Sequence, residues 1–280
     1  MWCSGLTLPA NVFAELAAAS VDLAGAPGPS SFLLDFDGTI APIVAVPSRA
    51  RTHPSMAVVL ERIASRARLS IISGRPVGFL SEQLAFLRET NDAGNVELFG
   101  QYGLVRADLT GRVIAMANLD AGQLAILEEI RHQWLEAPVD GILFEDKGSS
   151  LAFHYRNAPA MKEILLDWID SVLPNHGLSA MAGKMVYEIA PESAPSKRTA
   201  ALSILQHGVP CVFAGDDYGD LEVFQIMHEQ RLSGEPRVAI LVQGGAETPP
   251  ELLGLSDVHA RDQDELAFVL DQLLRVGSPL

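Results

Sequence analysis

The chain has 280 residues, of which 48% are hydrophobic, enough apolar side chain for one elaborated domain or for two. Its formal net charge of −15 and pI near 4.8 argue against nonspecific attraction to nucleic acid or to an anionic membrane, so an anionic substrate would need local cations or a metal. Two cysteines, Cys3 and Cys211, supply neither a disulfide framework nor a metal-ligand spacing, which suits a reducing cytoplasm.

From Met1 to Gly28 the sequence lacks the basic start and unbroken apolar run of a secretory signal, and no later stretch is long and apolar enough to span a bilayer. A cytoplasmic protein is expected. Ala14 to Leu23 reads as a short helix, and the Gly25 to Pro29 segment breaks it. Phe32-Leu33-Leu34 then reads as a buried strand that stops at two carboxylates, Asp35 and Asp37, with Gly38-Thr39 as the turn. Two carboxylates this close repel unless a cation sits between them.

Pro54 to Arg66 has helical spacing, Leu69 to Ile72 is a second strand, and Leu80 to Arg88 another amphipathic helix. Val96 to Phe99 is a third strand, ending in Gly100-Gln101-Tyr102-Gly103, so the beginning is a parallel α/β sheet. The rhythm then changes. Leu104 to Ala117 alternates like a hairpin around Thr110-Gly111, Ala121 to Leu135 is helical, and strands at Gly141 to Glu145 and Ser150 to Tyr155 flank Asp146-Lys147-Gly148. A helix from Ala158 to Leu173 and a strand from Lys184 to Ile189 complete what reads as an inserted α+β domain, residues 106–191. The first rhythm resumes with a helix from Arg198 to His207, strands at Cys211 to Ala214 and Arg237 to Val242, and a helix from Asp262 to Arg275. The expected fold is an α/β, Rossmann-like three-layer core, residues 1–105 and 192–280, carrying the smaller insert.

Asp35 and Asp37, Ser73, Lys197, and Asp216 with Asp217 all fall at the C-terminal ends of predicted core strands or on the loops after them, where open α/β sheets keep their ligands. Gathered carboxylates without a His or Cys cluster suit a hard divalent cation such as Mg²⁺. The inventory serves phosphoryl transfer. Asp35 can attack phosphorus, Asp37 can carry the proton, Lys197 can neutralise developing charge, and Ser73 with nearby N–H groups can hold phosphoryl oxygens.

These residues resemble the haloacid dehalogenase superfamily of phosphohydrolases: Asp35-Phe36-Asp37-Gly38-Thr39 matches its first motif, Ser73 its second, Lys197 its third, and Gly215-Asp216-Asp217 with Asp220 its fourth, in that order. The resemblance implies Asp35 as nucleophile, Asp37 as acid/base, and Mg²⁺ held by Asp35, the Asp37 backbone carbonyl and Asp216, with Asp217 and Asp220 in support. It also implies an α/β cap between the second and third motifs. Ile72-Ser73-Gly74-Arg75, Glu145-Asp146-Lys147, His154-Tyr155-Arg156 and Lys184 to Glu188 are further similar to segments of trehalose-6-phosphate phosphatases. That likeness implies sugar-hydroxyl contacts from Glu145, Lys147 and Glu188, and phosphate contacts from Gly74 and Arg75, with Arg75 alternatively folding back onto a carboxylate.

Departures from that pattern occur at Gly219-Asp220-Leu221-Glu222, at Ser196-Lys197-Arg198, and at Tyr102, where a histidine is frequent. The expected activity is Mg²⁺-dependent hydrolysis of trehalose 6-phosphate through an aspartyl phosphate. A glycosylglycerate or aminocyclitol phosphate is the alternative substrate, and a noncatalytic receiver-like sensor the alternative class. Asp37 argues against the sensor, since an acid/base beside the phosphorylated residue shortens the life of the phosphate. The expected partner is a small sugar phosphate, and a monomer is the default.

Overall fold

A computed structural model describes residues 10–23, 30–89, 93–174, 177–183, 185–243 and 249–276. In chain order its elements are α1 (Ala10–Leu23), β1 (Ser31–Leu34), α2 (Pro54–Ala64), β2 (Arg68–Ile72), α3 (Val77–Gln83), β3 (Val96–Gly100), β4 (Val105–Asp108), β5 (Val113–Met116) and α4 (Ala121–Glu136). There follow β6 (Leu143–Asp146), β7 (Leu151–His154), α5 (Lys162–Val172), β8 (Leu178–Gly183), β9 (Val186–Pro191), α6 (Lys197–Ile204), β10 (Cys211–Gly215), α7 (Leu221–Leu232), β11 (Arg237–Val242), α8 (Pro250–Leu253), β12 (Val258–Ala260) and α9 (Gln263–Arg275).

Continuous apolar strands need cover on both faces, and β1, β10 and β11 are buried at every residue. They lie within an eight-stranded sheet ordered β12-β11-β10-β1-β2-β3-β4-β5, parallel from β12 to β3 and antiparallel through β4 and β5. One face packs against α1, α2 and α9 through residues such as Val12, Leu60 and Leu270, and the other against α6 and α7 through Ala201, Phe224 and Met227. From β1 the chain moves outward through β2 and β3, then returns to the other side of β1 with β10. That reversal opens a crevice at the C-terminal ends of β1 and β10.

A second sheet, ordered β6-β7-β9-β8 and antiparallel throughout, stacks one face on α4 and α5. Trp134 is its anchor, with ring centroids 4.7 Å from Phe153 and 4.8 Å from Trp168. Strand alternation therefore turns Leu151, Phe153 and Ile189 toward the helices and leaves Ala152, His154 and Glu188 on the opposite face.

The division at residue 106 requires correction. The β4–β5 hairpin is hydrogen bonded to β3, Phe99 facing Arg106, so it extends the larger sheet and the change of sheet comes after Met116. The expected helix from Leu80 to Arg88 is shorter and earlier: α3 is followed by a 3-10 turn, Ala85–Glu89. Elements α7, β8, α8 and β12 have no counterpart among the elements expected from sequence. In β8 only Leu178 is buried, so no alternating pattern exists to be seen. The expected Gly25 to Pro29 break, Cys3 and Lys184 lie outside the described residues.

Candidate active site

Asp35 follows the last residue of β1, its N–H still donating to the Ala214 carbonyl at 3.0 Å. Beyond it the chain turns at once, with Gly38 N–H on Ala41 O at 2.7 Å and Ala41 N–H on Phe36 O at 2.8 Å. The strand thus ends before Asp37, and the two carboxylates find different partners. Lys197 Nζ reaches Asp35 Oδ1 at 2.6 Å and Asp220 Oδ1 at 2.7 Å. Asp37 instead receives both arms of Arg75, Nε on Oδ2 and a terminal nitrogen on Oδ1, each at 2.7 Å. Arg75 is also held over the Phe79 ring at 4.8 Å. Of the two readings of Arg75, the fold-back onto a carboxylate is the one observed.

Lys197 opens α6, so the helix start delivers it to the crevice, while Asp216 follows β10 directly. Asp35, Asp216 and Asp220 are all buried and each brings an oxygen within 4.8 Å of the others. Burial and the charge of Asp220 hold the Asp35 carboxyl well above its usual range against the pull of Lys197. Burial alone would depress the Lys197 ammonium, but Asp220 and Asp35 outweigh it and push it well above its usual value. Three carboxylates against one ammonium leave room for more positive charge.

The cluster fits a hard divalent cation on two counts. Its donors are all carboxylate oxygens. Its floor is Gly38, at φ +87°, where a Cβ would stand 2.0 Å from Asp216 Oδ2. Asp220, expected to support, is an equal member of this group, whereas the Asp37 side chain stands on Arg75. Asp217 caps the turn after β10 through Gly219 N–H at 2.8 Å.

Ser73, 1% exposed, accepts from the Arg75 N–H at 3.2 Å, and Gly74 lies under Tyr102, whose ring carbon would be 2.6 Å from a Cβ there. Across the crevice, Glu188 on β9 accepts from Lys147 Nζ at 2.6 Å, from Tyr102 O–H at 2.8 Å, and from the Ser150 hydroxyl. Glu145 meets His154 Nε2 at 3.0 Å, a bond that, against partial burial, keeps its carboxyl below the usual range. His154 and Arg156 face the crevice, while Phe153 and Tyr155 join the helices. One cavity of about 700 Å³ joins Asp35, Asp37, Ser73 and Lys197 to Glu145, Lys147 and Glu188. Ser150 and Gln101 are cavity residues that motif spacing leaves unmarked, and Tyr102 is marked only as a departure from the family pattern.

A sequence model described as trehalose-phosphatase matches residues 33–249, from inside β1 to beyond β11. The chain belongs to the trehalose-phosphatase family. Family membership makes it a phosphoric monoester hydrolase and sets aside the receiver-like sensor. It is 28% identical over 215 residues to a probable trehalose-phosphate phosphatase of Sinorhizobium fredii, covering 73% of this chain and 75% of that one. It is 26% identical over 208 residues to the trehalose-phosphate phosphatase of Mycobacterium tuberculosis, covering 69% of this chain but 50% of the longer relative.

In structure it resembles the C-terminal domain of Candida albicans trehalose-6-phosphate phosphatase, with a TM-score of 0.71 at 21% identity over 97% of this chain and 99% of that one. A haloacid-dehalogenase-superfamily phosphatase of Bacteroides thetaiotaomicron shares the fold at a TM-score of 0.54 and 15% identity, covering 98% and 99%. The α/β expectation and the family resemblance are both borne out. No described helix is long and apolar enough to cross a membrane.

Proposed function

We propose that the chain hydrolyses trehalose 6-phosphate to trehalose and phosphate, with Asp35 as nucleophile and Asp37 as acid/base. The observation that carries this reading is the shared cavity, which puts a carboxylate and lysine cluster opposite a wall of charged hydrogen-bonding groups suited to sugar hydroxyls. The names of the relatives support the choice of sugar.

Asp35 attacks phosphorus as the bond to the sugar oxygen breaks, and Asp37 gives that oxygen a proton. Asp37 then takes a proton from water as the water oxygen attacks phosphorus, the bond to Asp35 breaks, and inorganic phosphate leaves. Lys197 balances charge on Asp35 throughout. Ser73 accepts from the Arg75 N–H, which leaves its own proton to donate to a phosphoryl oxygen. For Asp37 to carry a proton, Arg75 must release one of its oxygens, and an incoming phosphate dianion is the competing partner. Asp35, Asp216 and Asp220, with the Asp37 backbone carbonyl, would hold Mg²⁺, which when bound would supply Lewis-acid neutralisation of charge on the phosphoryl oxygens.

Phosphate release across a panel of sugar phosphates tests the substrate, and Asp35→Asn tests the nucleophile. Trehalose 6-phosphate is expected to exceed glucose 6-phosphate clearly in kcat/KM; parity between them rejects the sugar. Preference for a glycosylglycerate or aminocyclitol phosphate selects the alternative substrate. Asp35→Asn lowers kcat by roughly a thousandfold or more, and undiminished hydrolysis removes Asp35 from its role.

A further inference from the structure

Glu188 is a carboxylate 3% exposed on a strand between apolar neighbours, and it is held from two directions. Lys147 and Ser150 reach it from the smaller sheet, beside it. Tyr102 comes from the larger sheet, across the crevice, and its O–H lies 2.8 Å from Glu188 Oε2. The Lys147 ammonium also sits 5.3 Å over the Tyr102 ring, a cation–π contact to the same residue.

The backbone that presents Tyr102 is unusual. Gln101, Tyr102 and Gly103 all have positive φ, at 50°, 58° and 99°. A non-glycine residue in that region costs on the order of 1 kcal/mol or more, so the surroundings must hold it there. They do so through the phosphate-facing loop: Tyr102 N–H donates to Ser73 O at 2.9 Å and Gln101 N–H to Arg75 O at 3.0 Å. From the same turn Gln101 Nε2 crosses to Lys147 O at 2.5 Å and Ser149 Oγ at 2.9 Å. A single strained turn therefore bonds the Ser73 loop by its backbone and the sugar-facing wall by its side chains.

We propose that Tyr102 is a positioning residue for substrate recognition: its phenol ties the Glu188 carboxylate to the Ser73–Arg75 loop and so sets the span between sugar and phosphoryl sites. The inference rests on the reading of Glu188 as a hydroxyl ligand. It concerns the distance between two parts of a substrate, so it applies to a sugar phosphate and not to a small phosphate ester that never reaches Glu188. Burial and then the Glu188 charge hold the phenol well above its usual pKa, so Tyr102 remains a neutral donor across the working range of pH.

Tyr102→Phe keeps the ring beside Gly74 and beneath Lys147 while removing the O–H. For the preferred sugar phosphate, KM is expected to rise roughly tenfold with kcat changed less than twofold, as for loss of one hydrogen bond to a charged group. Hydrolysis of p-nitrophenyl phosphate is expected to keep its kcat/KM. Equal losses on both substrates would mark a merely structural residue, and no loss on either would leave Tyr102 without a role; both overturn the proposal.

Gln101→Gly is the second variant, since glycine adopts positive φ freely and only the crossing amide is lost. It too is expected to raise KM for the sugar phosphate alone. In a Glu188→Ala background Tyr102→Phe should add no further rise in KM, and a full additional tenfold effect would show that Tyr102 does not act through Glu188. If the wild-type enzyme prefers a sugar phosphate other than trehalose 6-phosphate, the proposed substrate fails while the Tyr102 comparison is read on the preferred one.

Discussion

Gly38 has no side chain because Asp216 fills the place where one would stand. That contact makes the residue a direct test of the cation site. A ligand bound only by the folded state stabilises it by mass action, so if Mg²⁺ binds here, saturating Mg²⁺ is expected to raise the melting temperature of the wild-type chain by several degrees. Gly38→Ala is expected to abolish both that shift and turnover, because its Cβ displaces the Asp216 carboxylate; an alanine variant with the full shift and full activity would disprove the cradle. Asp35, Asp37, Ser73 and Asp216 were legible in sequence because each follows a strand of the larger sheet, where side chains converge, and Lys197, which opens α6 after a strand of the smaller sheet, was legible through motif order. The separation of Asp35 from Asp37 was open in sequence, since it depends on a turn closed by Gly38 and Ala41. The bidentate bond of Arg75 to Asp37 pairs groups far apart in the chain, and spacing could offer it only as one of two readings.

Among the elements, β10 and β11 begin with paired polar residues in the core, Cys211 opposite Arg237. Arg237 is 1% exposed and donates to the carbonyls of Val209 at 2.6 Å and Gln206 at 2.9 Å, closing the loop that precedes β10. Burial pushes the Cys211 thiol up to about 12. Because its folded value lies above the unfolded one, the folded chain keeps this proton while the unfolded chain sheds it, so stability falls as pH rises from about 9 toward 12. The slope from this one group is at most about 1.4 kcal/mol per pH unit. Urea unfolding at pH 9 and 10.5 should show a steeper loss for wild type than for Cys211→Ala, and identical slopes refute the shift. Strands with continuous apolar runs were readable, as were helices with a strong stripe. The β4–β5 hairpin was readable as a hairpin but not as part of the larger sheet, because alternation specifies a strand and not its neighbour. Exposed β8 offered no pattern at all, and it pairs only because β9 is there.

Over the whole molecule, a charge of −15 surrounds a cavity where Arg75, Lys147, Arg156 and Lys197 stand among a larger number of carboxylates, Asp35, Asp37, Glu145 and Glu188 included. Approach of a phosphate dianion is opposed at long range, and only at contact distance do the lysine and arginine donors of the cavity act in its favour. Salt screens the first, over a Debye length of about 10 Å at 0.1 M, far more than the second, which acts between buried groups. Raising NaCl from 10 to about 150 mM at fixed Mg²⁺ is therefore expected to raise kcat/KM. A fall over that range would mean that the lysines and arginines of the cavity dominate at distance as well. The insertion of the second sheet between β5 and α6 has one more consequence, which concerns synthesis. Leu34 of β1 pairs with Ala214 of β10, about 180 residues later. At ribosomal rates β1 waits roughly 10 to 40 seconds for that neighbour, with one edge of its apolar run unmade. The nascent chain thus carries the Asp35 strand without Lys197 or Asp216 beside it, and it can acquire phosphatase chemistry only once the chain through Asp220, inside its last third, has emerged.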